Sequence, residues 1–599
     1  MIPAGEPSPF APRERGGDLL ATPIWDLRRG DHDDDRMSPY GGGFRSLVLA
    51  AAFEFNFLKA LIVFLALIVA PALLLGLGLS LAVTYGRLVL HAMQMAGRSP
   101  ALGLAWLALL IGFAVWAGRP LLRVGFDNFR QLHYTLVFPI FVALRELLRS
   151  IAERLHGRAI TSQQLNRGRR LGAFAAALIF AAAGVALAWI MWSSFGWRVL
   201  DAGHIFPLPL AKAALINAAI VIGISTVVDS LFWLAQEFRL KGPTVDWTPQ
   251  PAGKESPRTR IAHLSDLHIV GERYGYRMEA GTHGPQGNEC IARALRQVVT
   301  LQNQGSLDRV SVTGDITDAG TRAEWNEFID LLRDCPGVRE RLSFVPGNHD
   351  VNVVDRTNAG RLDLPWSSSQ SLRKLRTILA LDLVQGDRAR IVDRASGKVG
   401  PSLRDYLREG GRADRLRSLA EHGSWRGRWE LEKVWDAVFP LVEPAQPGHE
   451  YGVILLDSNA RTHFSLTNAV GFVSPPQLRA LKSVLKNHPG SAWIIMLHHQ
   501  VVEYPVASIS LRDRIGLALV NASDILTAIG PYASNVVVLH GHRHRDWIGT
   551  CGRVVLCSAP SAALGAQSGI EDRGFCVHDF NLGAGGTIHL IKTERVRVA

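Results

Sequence analysis

Five short motifs of acids and histidines, each set at the end of a short apolar run, constrain this chain more than any other feature. They read Asp266-Leu267-His268, Gly314-Asp315, Gly347-Asn348-His349-Asp350, His498-His499 and Gly541-His542-Arg543-His544. The runs before them are Arg260–Leu264, Val310–Val312, Leu342–Val345, Trp493–Leu497 and Val536–Leu539. Apolar runs of this length, bounded by Gly, Pro and Asp, predict buried strands. Five strand ends then deliver oxygen and imidazole groups to one edge of a sheet, where open α/β folds place their sites.

The residue types fit that placement. Side chains alternate along a strand with period two, so Asp266 and His268 can face one side, as can His542 and His544. Carboxylate, amide and imidazole groups together suit divalent Zn, Mn or Fe better than metals that prefer thiolates. An Asp can bridge two ions, and ions about 3.5–4 Å apart clamp the entering and leaving oxygens of a phosphoryl displacement. His263 falls out of phase with Asp266 and reads as a core residue. His499 and His540 read as supporting or structural, and the Gly-rich stretch Gly281–Gly287 reads as a loop.

At these residues the chain resembles the calcineurin-like metallophosphoesterases, a family of dinuclear metal phosphatases and phosphodiesterases. The family pattern is DxH, GD, GNH(D/E), a later His after a strand, and GHxH. The resemblance runs from about Arg258 to the C-terminus with one insertion. It implies an α/β fold, a two-sheet β-sandwich flanked by helices (α/β/β/α), with a dinuclear site at the strand ends. It also implies that Asp266, His268 and His544 hold one ion, that Asn348, His498 and His542 hold the other, and that Asp315 bridges. His349 would be the non-ligand histidine beside the scissile phosphate, with Asp350 orienting it. Many relatives have His-His-Pro where this chain has His498-His499-Gln500, and the first histidine is favoured as the ligand.

The chemistry expected of such a site is phosphoester hydrolysis by a hydroxide held between two divalent ions, with charge on the equatorial oxygens offset by the ions. His349 would protonate the leaving alkoxide or hydrogen-bond a phosphoryl oxygen. Fold and site do not fix the substrate. A phosphodiester such as a cyclic nucleotide, a phosphomonoester or phosphoprotein, and a phospholipid or lipid-linked pyrophosphate all stay open. Lipid A precursor pyrophosphatases typically carry Arg where this chain has His349, so that activity is not assigned. A non-catalytic membrane sensor or scaffold is the alternative class, and the complete ligand set argues for catalysis.

The first half is a different kind of sequence. The chain is 48% hydrophobic and 20% charged, and the apolar excess lies before residue 240. Charge-free runs at Ala60–Tyr85, Ala101–Ala117 and Leu171–Trp197, with Ala213–Trp233 interrupted only by Asp229, predict about four transmembrane helices, since about 20 apolar residues span a bilayer core. For Ala101–Ala117 a buried core helix is the alternative. Asp229 reads as a functional group within the bilayer or as an interfacial cap. Ten arginines between the second and third runs, from Arg119 to Arg170, place that loop and the catalytic domain in the cytoplasm. Leu144, Leu147, Leu148, Ile151 and Leu155 recur at helical spacing, as a membrane-surface helix or a packed linker helix.

The expected layout is therefore a disordered N-terminus over 1–44, an all-α transmembrane region over 45–240, a linker over 241–257, and a catalytic domain over 258–351 and 447–599. Residues 352–446, rich in arginine and with helical patterns at Leu372–Leu383, Leu403–Leu407, Leu416–Leu419 and Trp429–Phe439, form a helical insertion, either a lid or a packed decoration. Five cysteines without CxxC spacing need no disulfides, and the sequon at Asn521 would stay unmodified in the cytoplasm. The net charge of +12 sits largely in loops flanking the apolar runs. Anionic lipid explains it there, so the expected partners are a phosphoester substrate and the bilayer, with no nucleic acid. Oligomeric state is not legible.

Overall fold

Local apolar patterning divides the chain into two compact units, Asn56–Arg239 and one containing Leu240–Ala599. The structure, a computed structural model, describes residues 57–66, 70–113, 137–156, 162–196, 207–239, 258–271, 288–305, 307–354, 361–364, 367–394, 396–445, 451–502, 504, 519–564 and 573–598. The expected N-terminal segment 1–44, the linker 241–257 and the loop Gly281–Gly287 lie outside these residues.

The first unit is helical: α1 (Phe57–Phe64), α2 (Ala70–Arg98), α3 (Pro100–Phe113), α4 (Phe138–His156), α5 (Ser162–Phe195) and α6 (Pro207–Arg239). Among the described residues two helices are long and apolar enough to cross a membrane, Arg167–Phe195 at mean hydropathy 2.3 and Lys212–Arg239 at 1.9. They hold most of the third and fourth expected spans. The second falls on α3, whose 14 residues are fewer than the roughly 20 a bilayer core requires. The first is divided between α1 and α2. Helices α5 and α6 touch where Gly184 meets Gly223: a Cβ on either would fall 2.5 or 2.6 Å from the other's carbonyl oxygen, so only small residues allow this approach.

Helix α4 packs rather than standing alone. Phe138 and Phe141 are buried against Trp233 of α6, and Phe141 also meets Phe180 of α5. Its charges turn inward. Arg145, Glu146 and Arg149 are buried; Arg145 pairs with Glu146 and Glu237, and Arg169 Nε lies 2.7 Å from Glu237 Oε2. Ile140, Leu147 and Ile151 face outward. Paired charges inside and apolar side chains outside invert the pattern of a helix in water.

The second unit is built on two mixed sheets. The strands are β1 (Arg258–Leu264), β2 (Arg309–Val312), β3 (Leu342–Phe344), β4 (Arg390–Val392), β5 (Val399–Ser402), β6 (Leu441–Glu443), β7 (Tyr451–Leu455), β8 (Ala492–Met496), β9 (Val536–His540), β10 (Trp547–Cys551), β11 (Val554–Ser558), β12 (Gly574–Gly583) and β13 (Thr587–Arg597). One sheet has the order β13-β12-β1-β2-β3, the other β10-β11-β9-β8-β7-β6-β4-β5. Helices α7 (Glu289–Asn303), α8 (Arg322–Arg333), α9 (Pro336–Arg341), α10 (Asn348–Val351), α11 (Ser368–Gln385), α12 (Leu403–Arg408), α13 (Arg412–His422), α14 (Trp425–Val438), α15 (Pro475–Asn487) and α16 (Ala522–Ile529) complete it.

Period-two alternation explains how the central strands serve two cores. Val453, Leu455, Ile494, Met496, Val537 and Leu539 join the cluster that includes Ile261, Leu264, Val310, Val312 and Phe344 of the other sheet. Their neighbours Ile454, Trp493, Ile495, Val536 and Val538 point the opposite way, onto Leu481 and Val484 of α15 and Ile525 of α16. Buried on both faces, these strands are apolar almost throughout, His540 at the end of β9 being the exception. They are parallel to one another, so their C-terminal ends share one edge.

The insertion departs from the helical decoration expected of it. Within it β4, β5 and β6 extend the larger sheet beyond β7, with β6 antiparallel to β7. Its first helix, α11, is buried at 16 of its 18 positions and so belongs to the core rather than to a lid. The charged residues of α11 are turned inward onto partners: Arg373 Nη2 to Asp363 at 2.7 Å, Lys374 Nζ to Glu432 at 2.9 Å, and Arg376 Nη1 to the Gly320 carbonyl at 3.1 Å. Gln385 closes the exposed edge of β3, accepting from Phe344 N and donating to Phe344 O. Free strand edges are routinely covered in this way.

Candidate metal centre

The strand-end loops are fastened to one another by backbone hydrogen bonds before any side chain is considered. Past β1, Asp266 N donates to Gly314 O and His268 N to Asp315 O, 3.1 and 2.9 Å. Past β8, the His498 carbonyl accepts from Gly541 N at 3.0 Å. The side chains tie the loops further. Asp266 Oδ2 accepts from His542 N, and Asp315 Oδ1 from His349 N.

Five of the seven residues expected as ligands share one backbone feature. Asp266, His268, Asp315, His542 and His544 have φ of 52, 45, 49, 71 and 50°, and they are the described non-glycine residues with positive φ. Left-handed conformations cost a side-chain-bearing residue about 1–3 kcal/mol, and such strain clusters at functional sites. Glycine is required where these turns meet: a Cβ on Gly314, itself at φ 93°, would sit 2.6 Å from His498 Nδ1, and one on Gly541 would collide with Ser265 Oγ.

The side chains converge in three overlapping groups, Asp266/His268/His544, Asp315/His498/His542 and His268/Asp318/His349. In the first, His544 Nε2 lies 3.3 Å from both Asp266 Oδ1 and His268 Nε2. In the second, His498 Nε2 lies 3.2 Å from Asp315 Oδ2, 3.1 Å from Asn348 Oδ1 and 3.0 Å from His542 Nδ1. His268 Nε2, 3.8 Å from Asp315 Oδ2, joins the two. All seven expected ligands are thus brought to one place.

This donor set fits divalent cations. Thr313 O can only accept, so His498 Nδ1, 2.8 Å away, carries a proton, and the lone pair of the neutral ring is then on Nε2. Asp315, Asn348 and His542 present further lone pairs around that atom, and His542 Nε2 is buried without a hydrogen-bond partner. Facing lone pairs of oxygen and imidazole nitrogen, with no thiolate, suit ions such as Mn, Fe or Zn. Burial pushes Asp315 upward, but the imidazoles of His498 and His349 outweigh it and hold the carboxyl well below its ordinary range. Asp266 is likewise lowered, with His544 outweighing burial. Burial lowers His498, but the Asp315 carboxylate outweighs it and raises the ring to about 9.

The supporting residues depart from the expected pattern. Asp350 does not orient His349. Its Oδ1 accepts from Thr317 N and Oγ1 at 2.8 and 2.7 Å, and its Oδ2 from Gly347 N and Ile316 N at 2.8 and 3.2 Å. Four donors use up the carboxylate, which clips the loop after β2 to the loop after β3. His349 Nδ1 donates instead to the Asp318 carbonyl at 2.7 Å, and the Asp318 carboxylate lies 3.2 Å from His268 Nδ1. Sequence reading missed Asp318; the available signal was an acid three residues beyond Asp315 in the same loop. His499 is buried, its Nδ1 2.9 Å from Ser458 Oγ, and burial with the neighbouring His498 keeps it neutral. His263 lies in the core between His578 and Thr313 Oγ1.

A probable cyclic nucleotide phosphodiesterase from Coxiella burnetii is 28% identical over 98 residues, 16% of this chain. The chain spans about a third, 34%, of the length of that curated relative. Among solved structures, a dimetal phosphatase from Danio rerio aligns over 57% of this chain and 99% of its own, at 13% identity and a TM-score of 0.30. Purple acid phosphatase from yellow lupin aligns over 55% and 50%, at 11% identity and a TM-score of 0.26. The calcineurin-like phosphoesterase family matches residues 259–546, and that stretch, with the site just described, is a calcineurin-like phosphoesterase domain.

Proposed function

We propose that this chain is a membrane-anchored, metal-dependent phosphoester hydrolase. The observation that carries the reading is the convergence of Asp266, His268, Asp315, Asn348, His498, His542 and His544 from strand ends of both sheets, with His349 beside them. Asp266, His268 and His544 would hold one ion, Asn348, His498 and His542 the other, and Asp315 would lie between. Two divalent ions in such a set supply Lewis-acid charge and acidify a bound water toward neutrality.

The chain's own residues account for the remaining steps. Because the Asp318 carbonyl can only accept, His349 keeps its proton on Nδ1, and Nε2 is the nitrogen that serves a leaving oxygen. In its imidazolium form the ring would give the Nε2 proton to the leaving oxygen as the P–O bond breaks and be left neutral with Nδ1–H still on Asp318 O, the role of a general acid. Asp318 holds His268 through its other ring nitrogen, the arrangement that fixes the tautomer of a ligating histidine. Asp350 keeps the loops carrying Asp315 and Asn348 in register.

The likeness to the probable cyclic nucleotide phosphodiesterase of Coxiella burnetii supports a cyclic nucleotide as the first diester to try. The test is turnover by the full chain with added Mn²⁺ on bis-nitrophenyl phosphate, nitrophenyl phosphate, cyclic nucleotides and phospholipids. Metal-dependent hydrolysis of at least one is expected. Inertness of the metal-loaded chain toward all would leave a scaffold or sensor.

Membrane anchoring rests on α5 and α6. A four-span topology with both termini and the catalytic domain in the cytoplasm follows from the arginine-rich stretch between Arg119 and Arg170. A C-terminal reporter active only in the cytoplasm should work, and an alkaline-phosphatase fusion near Gly203 should be active. The reverse at both sites would move the metal centre across the membrane.

A further inference from the structure

Helix α14 carries two stripes. The buried one is Gly427, Glu430, Leu431, Val434, Trp435 and Val438. The opposite one, spaced at i, i+4 and i+8, is Trp425, Trp429 and Lys433, with Arg426 beside it. Trp425 is 72% exposed and Trp429 60%. Among the described residues from 258 onward, these are the two large hydrophobic side chains left exposed.

The stripe is held firmly. Ser424 Oγ caps the helix by accepting from Gly427 N, and a Cβ on Gly427 would collide with the Arg415 carbonyl and crowd Leu419, so α14 sits directly on α13. Both indoles are accompanied by cations: Lys433 Nζ lies 3.2 Å from the centre of the Trp429 ring, and Arg426 Cζ 5.5 Å from that of Trp425. Asp436 is an acid at the far end of the same face. A helix face meant only for water does not carry two adjacent indoles.

Indoles flanked by cations are the composition of membrane interfaces, where Trp rings settle at headgroup depth and Lys and Arg meet anionic lipid. Single-stranded nucleic acid uses similar residues but tracks a basic groove, and this stripe is one convex helix face. The chain also brings its own membrane, since α5 and α6 are long and apolar enough to cross one. Tethering would present the catalytic unit to lipid at high effective concentration. We propose that the Trp425/Arg426/Trp429/Lys433 face of α14 docks on an anionic lipid surface, an inference that rests on the membrane-anchored reading for this tethering.

The test uses the full chain in proteoliposomes of phosphatidylcholine with and without phosphatidylglycerol. All five native cysteines are buried, so a fluorophore can be directed to His422→Cys, three residues before Trp425, and separately to Val185→Cys on the exposed face of α5. Quenching by brominated lipid is expected at both positions. At 422 it should be stronger with phosphatidylglycerol, lost in Trp425→Ser/Trp429→Ser, and the docked-to-free ratio should fall roughly fivefold for each charge removed in Arg426→Gln and Lys433→Gln. Quenching at 185 but not at 422 overturns docking and leaves anchoring intact. Quenching at neither overturns both, and at 422 alone upholds docking without anchoring. Quenching at 422 that survives the double Trp variant also overturns the assignment. So does shielding at 422 that grows with protein density and ignores lipid charge, which would make the face a contact between copies.

Discussion

Asp350→Asn separates a residue that clips two loops together from one that takes part in proton transfer. In the parent, one carboxylate oxygen serves Thr317 N and Oγ1 and the other serves Gly347 N and Ile316 N. Asparagine has a single acceptor oxygen. If that oxygen keeps Thr317, the amide NH₂ faces the N–H groups of Gly347 and Ile316, donor against donor. A buried amide left unsatisfied costs about 1–3 kcal/mol, and about 1.4 kcal/mol is a factor of ten. Amide hydrogen exchange at Gly347 and Ile316 should therefore quicken roughly ten- to hundredfold, with Thr317 much less affected. A flipped side chain would exchange those roles. Metal occupancy should fall with it, because Gly347 directly precedes Asn348 and Ile316 directly follows Asp315. Unchanged exchange at all three amides, together with a shifted pH–rate profile, would refute this reasoning and return Asp350 to the chemistry.

Three further outcomes are expected. His349→Ala should keep its metals by elemental analysis while kcat falls roughly 10²–10⁴-fold; loss of metal would make it a ligand. Asp318→Ala should weaken metal binding about 10–100-fold by freeing His268, and an unchanged metal titration would remove Asp318 from that role. Burial and the charge of Asp318 raise Glu324 from 4.5 to about 8. A carboxyl raised on folding contributes stability fully below about 4.5 and loses it as pH rises through about 8. Glu324→Gln, which keeps an acceptor for Ala319 N and Thr321 N, should flatten the loss of urea stability between about pH 4.5 and 8; a loss as steep as the parent's would contradict this.

The converging residues were legible because each stands just beyond a short, largely apolar run that forms a strand. The pairings behind them were not. Asp318 and Asp350 are both acids in strand-end loops, and only tertiary structure sets the Asp318 carboxylate beside His268 and gives the Asp350 carboxylate to backbone amides and the Thr317 hydroxyl. The same limit hid the role of α11: Arg373, Lys374 and Arg376 are each turned inward onto a partner, and those of Lys374 and Arg376 lie more than fifty positions away. Strands β4 to β6 are only three or four residues long, too short for alternation to register. In the first half, the apolar runs were plain, while the inward turn of the α4 charges depended on Glu237, about ninety positions away.

The central claim is a two-ion phosphoesterase site with Asp315 shared between the ions. Metal content and turnover of full-length Asp315→Ala, measured beside the parent on bis-nitrophenyl phosphate, test it most directly. The parent should hold two equivalents of divalent metal, and the variant should lose at least one of them along with nearly all hydrolysis. A variant that retains both ions and the parent's rate would contradict the account.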